Sequence, residues 1–177
     1  MESVLIRHTA ELDDAVLAAV KKLCQAVFDG RFAESDWEHA LGGMHALRWE
    51  GDRLIAHAAL VARRLLHGGR SLRTGYVEAV AVAPDRHRQG HGTAVMTALH
   101  PYLQRGYGMG ALRASDAGAA LYSGLGWARW TGRTAVLAPD GVTATPEHDG
   151  GIFVRPQATR LDPAELLICD WRDGDVW

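Results

Sequence analysis

One carboxylate, Glu78, interrupts a strongly apolar segment of the chain. This segment, residues 76–83, carries the β-branched residues Val77, Val80 and Val82 and is predicted to form a strand. A carboxylate in such a strand is partly buried, and beside a cationic amine it can accept the amine's proton directly or through water. Glu78 is therefore a candidate general base. The alternative is a glutamate at a strand edge that faces solvent.

The turn that follows this strand has the composition of an anion site. Arg86 and Arg88 precede Gly90 and Gly92, and a helical pattern begins after Gly92. Backbone N–H groups at a helix start lack partners within the helix, glycine lets a phosphate approach them, and the arginines could add charge-assisted contacts. A Walker loop would need a Gly-Lys-Ser or Gly-Lys-Thr ending, and the dinucleotide fingerprint would need a third glycine. An ordinary tight turn remains the alternative.

Length and composition indicate one globular domain, residues 1–177. The apolar fraction of 47% and the charged fraction of 23% are ordinary for a soluble protein. The net charge of −2 provides no basic field for nucleic acid. No apolar run approaches the roughly 20 residues that span a bilayer, and the N-terminus lacks a signal-peptide core. We therefore expect a cytoplasmic protein without nucleic-acid or membrane partners.

Two further residue types bear on function. Cys24 and Cys169 are far apart in sequence and are expected to be free thiols. The nine histidines do not fall at zinc-ligand spacings with cysteines, so we expect no metal.

Hydrophobic periodicity predicts an α+β order of elements. Three successive strands separated by short polar turns form an antiparallel meander before the glycine-rich turn. The predicted strands are residues 4–7, 44–49, 54–66, 72–82, 111–114, 127–137, 152–155 and 166–170. Predicted helices run from Glu11 to Gly30, over residues 35–40, from Gly92 with a kink or an early end at Pro101, and over residues 116–125, while residues 139–151 are expected to form a loop.

The string Arg88-Gln89-Gly90-His91-Gly92-Thr93 after a strand resembles the pyrophosphate loop of the GNAT superfamily, the GCN5-related N-acetyltransferases. That loop is usually written Gln/Arg-x-x-Gly-x-Gly/Ala, and His87 at its first position is a departure. The resemblance implies a GNAT fold, in which helices flank a mixed central sheet, and acetyl-CoA as cofactor. It implies that the backbone of Val80, Ala81 and Val82 pairs with pantetheine. The pyrophosphate would then lie against His87, Arg88, Gln89, Gly90, His91, Gly92 and Thr93.

A second string, Leu121-Tyr122-Ser123-Gly124-Leu125-Gly126-Trp127, resembles the Tyr-x-x-x-Gly-Phe/Trp segment of GNAT enzymes, whose tyrosine sits by the coenzyme A sulfur. A phenol's reference pKa of ~10 is close enough to a thiol's ~8.5 for the phenol to protonate a departing thiolate. Tyr122 is therefore a candidate general acid. The alternative is the amphipathic packing that most helix tyrosines serve.

Three blocks that together span nearly the whole chain are similar to the aminoglycoside 2′-N-acetyltransferases. They run from Asp36 to Leu47, from Gly75 to Glu78 and from Cys169 to Trp177. That family transfers acetyl from acetyl-CoA to the 2′-amino group of aminoglycoside antibiotics. The resemblance implies that the sugar pocket is lined by Asp36, Glu78, Asp175 and the C-terminal carboxylate of Trp177. Carboxylates are the groups that a polycationic sugar requires.

Three positions depart from the pattern of this family. Arg31 stands where an aspartate often precedes a phenylalanine, His148 stands where an acid is common, and Arg113 replaces a small hydroxyl residue. Each change is expected to add positive charge to the pocket. Drift at the pocket rim would explain them, as would a substrate with an anionic group. Kasugamycin, an amino sugar bearing a carboxylated amidine and joined to an uncharged inositol, carries an amine at one end and a carboxylate at the other.

The sequence thus predicts an acetyl-CoA-dependent aminoglycoside 2′-N-acetyltransferase that confers antibiotic resistance, with kasugamycin as the best candidate substrate. One rival is a GNAT enzyme acting on another small-molecule or protein amine. Another is a non-catalytic coenzyme A-binding sensor. Release of free thiol from acetyl-CoA in the presence of an aminoglycoside separates the first interpretation from both rivals. The oligomeric state stays open, a homodimer included.

Overall fold

The computed structural model describes residues 3–157 and 159–177, and the chain packs as two compact units. The first unit extends to Val61 and resumes over Val77–Pro101, while the second comprises Ala62–Tyr76 and Tyr102–Trp177. Residues 1 and 2, which belong to the N-terminus expected to lack a signal-peptide core, lie outside the described residues. Within the described ranges, no helix is both long and apolar enough to cross a membrane.

The first unit opens with a strand and a helix whose boundaries follow from local hydrogen bonds. β1 (Leu5–His8) pairs antiparallel with β2 (Met44–Glu50). α1 (Asp14–Val27) begins where the Asp13 carboxylate accepts a hydrogen bond from the Val16 N–H at 2.9 Å. This bond satisfies one of the N–H groups that have no partner within the helix.

α1 and the short α2 (Glu34–His39) cover one core of the first unit. Val20, Leu23 and Cys24 on α1 are buried there, at the spacing of one helix face. The remaining buried members of this core are Trp37, Leu47, Leu54, Ile55, Ala81 and Ala83.

Two long strands form the antiparallel meander that the sequence predicts. β3 (Arg53–His67) pairs antiparallel with β2, and β4 (Arg70–Val82) is its next neighbour. Gly68 and Gly69 connect the two strands with φ values of 55° and 69°. A tight two-residue hairpin needs positive φ at both central residues, so this turn favours glycine.

β4 contains a strained residue, Ala79, with φ of 49°. For residues with a Cβ, this left-handed region costs roughly 1–2 kcal/mol. Ala79 packs against the same core that Ala81 and Ala83 join. The backbone of β4 is therefore irregular directly after Glu78, and contacts from outside the strand must hold it in this conformation.

A 3₁₀ turn over Pro84–Arg86 follows β4 and precedes α3 (His91–Gly106). Of the two alternatives expected at Pro101, a kink or an early end, the early end is not observed, because the helix continues to Gly106. Leu99 and Leu103, on either side of Pro101, are both buried. We attribute the continuity of the helix to this burial, which offsets the one backbone bond that proline cannot make.

The second unit is built on a mixed sheet. The elements of this unit are β5 (Met109–Arg113), α4 (Asp116–Gly124), β6 (Ala128–Arg129), β7 (Thr134–Ala138), β8 (Gly141–Ala144), β9 (Ile152–Pro156) and β10 (Leu167–Asp170). Along the sheet the strands follow the order β6-β9-β5-β4-β3-β10-β7-β8. The pairs β4–β5 and β7–β10 are parallel, whereas β5–β9, β6–β9, β7–β8 and β3–β10 are antiparallel.

Two sequence-based expectations for the second unit are wrong. The single strand expected over residues 127–137 is two strands, β6 and β7, with different partners. The strand is interrupted near Gly132, where a Cβ would lie 2.4 Å from the Pro163 carbonyl oxygen. The loop expected over residues 139–151 contains β8 and a 3₁₀ turn, Pro146–His148. The predicted fold class, α+β with a mixed sheet and an antiparallel N-terminal meander, is confirmed.

Gly43→Ala should destabilise the protein by about 1–3 kcal/mol, the usual cost of forcing an extra methyl into a packed site. A Cβ at residue 43 would lie 2.2 Å from the Leu60 carbonyl oxygen, and a backbone atom cannot rotate away. Chemical denaturation measures the change. Gly106→Ala is the matched control, because its Cβ would meet no atom within 4 Å. Equal stability of the two variants would contradict the packing at Gly43.

Candidate active site

The glycine-rich turn of the first unit begins α3 as the sequence predicts. The Ala94 N–H donates to the Gly90 carbonyl at 2.9 Å, so Gly90 caps the helix and His91 is its first residue. The N–H groups of His91, Gly92 and Thr93 therefore have no acceptor within the helix. Gly90 has φ of 81°, and a Cβ there would meet no atom within 4 Å. Open space above exposed N–H donors fits an anionic group such as a pyrophosphate.

The basic residue Arg86 is engaged by neighbouring carboxylates. Its guanidinium contacts Glu50 at 2.6 Å and Asp85 at 2.9 Å. Arg53 contacts the same Asp85 at 2.7 Å, and its hydrogen bond is the main reason that the pKa of Asp85 is lowered to about 2. Arg86 thus stabilises the turn itself, which reduces the contribution that we expect from it toward a phosphate.

Other residues that are predicted to bind the cofactor also stabilise the turn through hydrogen bonds within it. His87, the departure from the usual loop pattern, donates from Nε2 to the Val82 carbonyl at 2.9 Å. Gln89 donates to the Asp85 carbonyl at 3.4 Å. Arg88 adopts φ of 59°, a left-handed conformation that is uncommon for a residue with a side chain. The loop is therefore held in a defined shape before any ligand binds.

The β4 residues that are predicted to act as general base or to bind the pantetheine arm differ in exposure. Glu78, Val80 and Val82 are half-buried, whereas Ala81 is buried in the core. Since side chains alternate along a strand, Val80 and Val82 face away from that core. The half-buried position of Glu78 rules out the alternative of a glutamate fully exposed to solvent.

Three side chains that the sequence analysis missed hold the irregular part of β4. His57 is fully buried, and its Nδ1 lies 2.8 Å from the Ala79 carbonyl oxygen. His45 is also fully buried, with Nδ1 at 2.9 Å from His57 Nε2 and Nε2 at 2.7 Å from Thr9 Oγ1. The register of β2 on β3 places His57 opposite Leu47 and therefore diagonal to His45. We call Thr9, His45 and His57 the histidine chain.

Each proton of the histidine chain can be assigned. A carbonyl oxygen only accepts, so His57 donates from Nδ1 to Ala79. Burial is the main cause that lowers the pKa of His57 to about 3 and that of His45 to about 4, so both rings are neutral at pH 7. His57 Nε2 then accepts from His45 Nδ1–H, and His45 Nε2 accepts from the Thr9 hydroxyl. The Gly42 N–H donates to Thr9 at 2.9 Å and anchors the chain to the backbone.

Two predicted substrate residues lie around α2. The Asp36 carboxylate accepts from the Ala33 N–H at 2.8 Å, which closes the first turn of α2. Arg31 is exposed, with Nε 3.5 Å from the Phe28 carbonyl oxygen. Asp36 thus has a structural role in addition to the predicted one, since one of its oxygens binds the backbone.

In the second unit, four predicted substrate residues meet at Asp175. Arg113 forms an ion pair with the Asp175 carboxylate, and His148 Nε2 lies 3.7 Å from Asp175 Oδ1. The Trp177 backbone N–H donates to the same Asp175 oxygen at 3.1 Å. We call these residues the Asp175 cluster. Within it, the charges of Arg113 and Asp175 largely offset each other.

The environment of His148 works against the positive charge that the sequence analysis expects there. Its side chain is only 10% exposed, and burial, followed by the nearby Arg113, lowers its pKa. The acidic neighbours Glu147 and Asp149 oppose the shift without reversing it. The lowered pKa favours the neutral ring, so the positive charge expected at this position is reduced.

The C-terminal segment that carries Asp175 is fixed by buried contacts. Trp177 is only 2% exposed, and its indole N–H donates to Thr145 Oγ1 at 3.0 Å. The buried Arg63 donates to the Val176 carbonyl at 2.8 Å and to the Asp170 carboxylate at 2.7 Å. These bonds hold in place a segment that has no regular secondary structure.

Tyr122 lies in the last turns of α4 and is buried. Its ring centroid is 6.0 Å from that of Phe153, and Gly118 leaves room for it, since a Cβ there would lie 3.1 Å from Tyr122 Cε2. Burial raises the pKa of the phenol to about 12. Tyr122 is therefore protonated at pH 7 and can donate a hydrogen bond, but it is a weaker acid than its reference value suggests.

The cysteines are buried free thiols, as the sequence predicts. Burial raises the pKa of Cys24 to about 12 and that of Cys169 to about 11, so neither forms a thiolate nucleophile at neutral pH. In residues 3–157 and 159–177, no three His, Cys, Asp or Glu side chains are grouped as a metal site requires.

The fold matches that of known acetyltransferases. A family model for the acetyltransferase (GNAT) domain matches residues 9–130. The crystal structure of Escherichia coli ElaA aligns with a TM-score of 0.62 and 20% identity, over 88% of this chain and 99% of that one. The ribosomal-protein-S18-alanine N-acetyltransferase of Escherichia coli aligns with a TM-score of 0.58 and 23% identity, over 89% and 96% of the two chains. The fold is that of a GNAT acetyltransferase.

Sequence similarity narrows this class. An aminoglycoside 2′-N-acetyltransferase of Mycolicibacterium fortuitum is 49% identical over 174 residues, which cover 96% of this chain and 89% of that protein. The chain belongs to the aminoglycoside 2′-N-acetyltransferase family within the GNAT superfamily. It is an acyltransferase, and enzymes of this superfamily use acetyl-CoA as co-substrate.

The buried histidines should make the protein less stable as the pH falls below about 6.5, the pKa of an unfolded histidine. Since folding lowers the pKa of His57, the unfolded state binds more protons in this range and gains stability relative to the folded state. Between pH 7.5 and 5.5, the free energy of unfolding of wild type should fall by about 1.4 kcal/mol more than that of His57→Asn. This difference is the effect of protonating one histidine in the unfolded state. Urea denaturation at both pH values measures the difference. The exposed His87→Asn is the control, and an equal loss in wild type and His57→Asn would contradict the assignment.

Proposed function

We propose that this protein transfers the acetyl group of acetyl-CoA to the 2′-amino group of an aminoglycoside. The observation that carries this proposal is the Asp175 cluster, where Arg113, His148, Asp175 and Trp177 come together as a substrate site would require. The 49% identical relative, an aminoglycoside 2′-N-acetyltransferase, supports the same reaction. In a host cell, such an activity would confer resistance to the antibiotic.

The chain offers groups that fit acetyl-CoA. The N–H groups of His91, Gly92 and Thr93 would hold the pyrophosphate, and the open space at Gly90 would admit it. The backbone of Val80 and Val82, on the half-buried face of β4, would pair with the pantetheine arm. When bound, the cofactor supplies the activated acetyl thioester.

Two side chains would act as proton acceptor and hydrogen-bond donor during the acetyl transfer. Glu78 would accept a proton from the substrate's ammonium group, because only the neutral amine has a lone pair for attack. Tyr122 would donate a hydrogen bond to the departing thiolate. With its pKa raised to about 12, the phenol donates this bond readily from its neutral form but releases the proton less easily than a free phenol.

Tyr122→Phe should lower kcat while acetyl-CoA affinity stays unchanged, since the substitution removes only the hydroxyl group. General acid catalysis is typically worth about 10²–10⁴-fold, and the raised pKa places the expected loss near the lower end. Steady-state kinetics and calorimetry with acetyl-CoA measure the two quantities. Tyr102→Phe, an exposed tyrosine on α3, is the control. Wild-type kcat in Tyr122→Phe would remove the phenol from the chemistry.

The charges of the Asp175 cluster favour a substrate with an anionic group. Arg113 uses one guanidinium nitrogen for Asp175, and a guanidinium has five N–H donors, so others can bind a ligand carboxylate. The arginine is also half-exposed. Asp175, already paired, attracts a polycation less than an unpaired carboxylate would. We therefore propose kasugamycin, with its carboxylated amidine, as the preferred aminoglycoside, and Arg113 or Arg31 as the partner of its carboxylate.

Arg113→Ser should reverse this preference. It removes a charge-assisted bond of roughly 1.5–3 kcal/mol, so kcat/KM for kasugamycin should fall about ten- to a hundredfold. The same change releases Asp175 from its ion pair, so kcat/KM for gentamicin should rise. Arg31→Asp tests the alternative partner, and Arg105→Ser removes an equal charge from the exposed last turn of α3 as control. Native turnover of gentamicin with kasugamycin inert would contradict the proposed preference, and no turnover of any aminoglycoside would contradict the function.

A further inference from the structure

The irregular segment of β4 is held by a specific hydrogen bond. Ala79, at φ of 49°, places its carbonyl oxygen 2.8 Å from His57 Nδ1, and Cys24 Sγ lies 4.0 Å from the same oxygen. An alanine keeps such a conformation only where its surroundings enforce it. Since the sulfur contact is long and a thiol is a weak donor, His57 is the main donor to this carbonyl.

His57 is itself fixed in orientation. Its Nε2 accepts from His45, which is held by Thr9, which in turn accepts from the Gly42 backbone N–H. Every donor in the histidine chain points toward Ala79. The histidine chain ends on a carbonyl oxygen, which has no proton to pass on, so it cannot serve as a proton relay. Its effect on the active site must be one of position.

The position that it controls is that of Glu78. The Ala79 carbonyl belongs to the peptide bond with Val80, and Glu78 directly precedes Ala79 in the strand. If this carbonyl loses its donor, Ala79 can relax to an ordinary strand conformation. A relaxed strand alternates regularly, so the side chains next to Ala79 would change direction.

We propose that His57, oriented by His45 and Thr9, is a positioning residue for the general base Glu78: its hydrogen bond keeps Ala79 left-handed and thereby aims the Glu78 carboxylate. This proposal rests on the proposed function only in taking Glu78 as the base. It differs from a packing role for His57, because it assigns the catalytic effect to one N–H donor and to the backbone conformation of one residue.

Matched variants separate the two roles. His57→Leu removes the donor and keeps an apolar side chain of similar size. His57→Asn removes the ring but keeps a donor, since the asparagine amide N–H can take the place of Nδ1–H. Both variants disturb the core, and melting temperatures report that disturbance. We expect kcat to fall roughly ten- to a hundredfold in His57→Leu, with KM for acetyl-CoA unchanged, and to stay within about threefold of wild type in His57→Asn.

A second substitution tests the backbone directly. Glycine adopts positive φ as readily as negative φ, so Ala79→Gly should lessen the need for the histidine bond. In the His57→Leu background it should restore most of the lost kcat. Ala83→Gly is the control, because Ala83 lies in the same core with φ of −52° and should restore nothing.

The outcomes decide between the two roles. Loss of kcat in His57→Leu, retention in His57→Asn and rescue by Ala79→Gly support positioning. Equal kcat in the leucine and asparagine variants, or kcat that follows melting temperature alone, overturns it, as does failure of Ala79→Gly to rescue.

Parallel measurements keep this test distinct from that of the proposed function. Wild-type enzyme that acetylates no aminoglycoside would count against the function, and wild-type kcat in Glu78→Gln would count against the base. In either case, crystal structures of the His57 variants still decide the backbone claim. Positive φ at residue 79 in His57→Leu would overturn it, and negative φ there with positive φ in His57→Asn would support it.

Discussion

The hydrogen bond from His57 to the Ala79 carbonyl is the contact on which the first unit's site depends. It holds a non-glycine residue of β4 in a left-handed conformation, with a fully buried imidazole 2.8 Å from a partly buried carbonyl oxygen. A neutral imidazole is suited to this place, because it presents one donor and one acceptor in fixed directions. Leaving the carbonyl without a donor in this core would cost about 1–3 kcal/mol. The same bond fixes the backbone between Glu78 and Val80, so stability and site geometry share one cause.

In the second unit the organising interaction is electrostatic. The Arg113–Asp175 ion pair joins the end of β5 to the C-terminal segment, and the buried Arg63 and Trp177 hold that segment in place. Because the pair offsets charge that would otherwise attract cations, the cluster suits a ligand that carries both signs better than a pure polycation. His148 beside it has a pKa lowered mainly by burial, so we attribute its contribution to shape more than to charge.

Much of this could be predicted from the sequence, because the relevant signals are local. The apolar run before Gly90, the helical spacing of Val20 and Leu23, and the short polar turns between the first strands each indicate structure within a few residues. The split of residues 127–137 could not be predicted, since it depends on the Pro163 carbonyl closing on Gly132. The histidine chain was missed because His45 and His57 read as scattered polar residues. The predicted β2–β3 hairpin was the available signal, since it brings them to the same face.

The most direct test of this account is the protonation state of His57, read from the ¹⁵N chemical shifts of its ring in NMR spectra. The account predicts a neutral ring at pH 7 with the proton on Nδ1, donated to Ala79, and the same tautomer for His45. A slowly exchanging, downfield Nδ1 proton should accompany it, and Ala79→Gly should leave the tautomer unchanged. A proton on His57 Nε2, or a charged ring at pH 7, would contradict the account, because the Ala79 carbonyl would then lack the donor described here or the chain would run in the opposite direction.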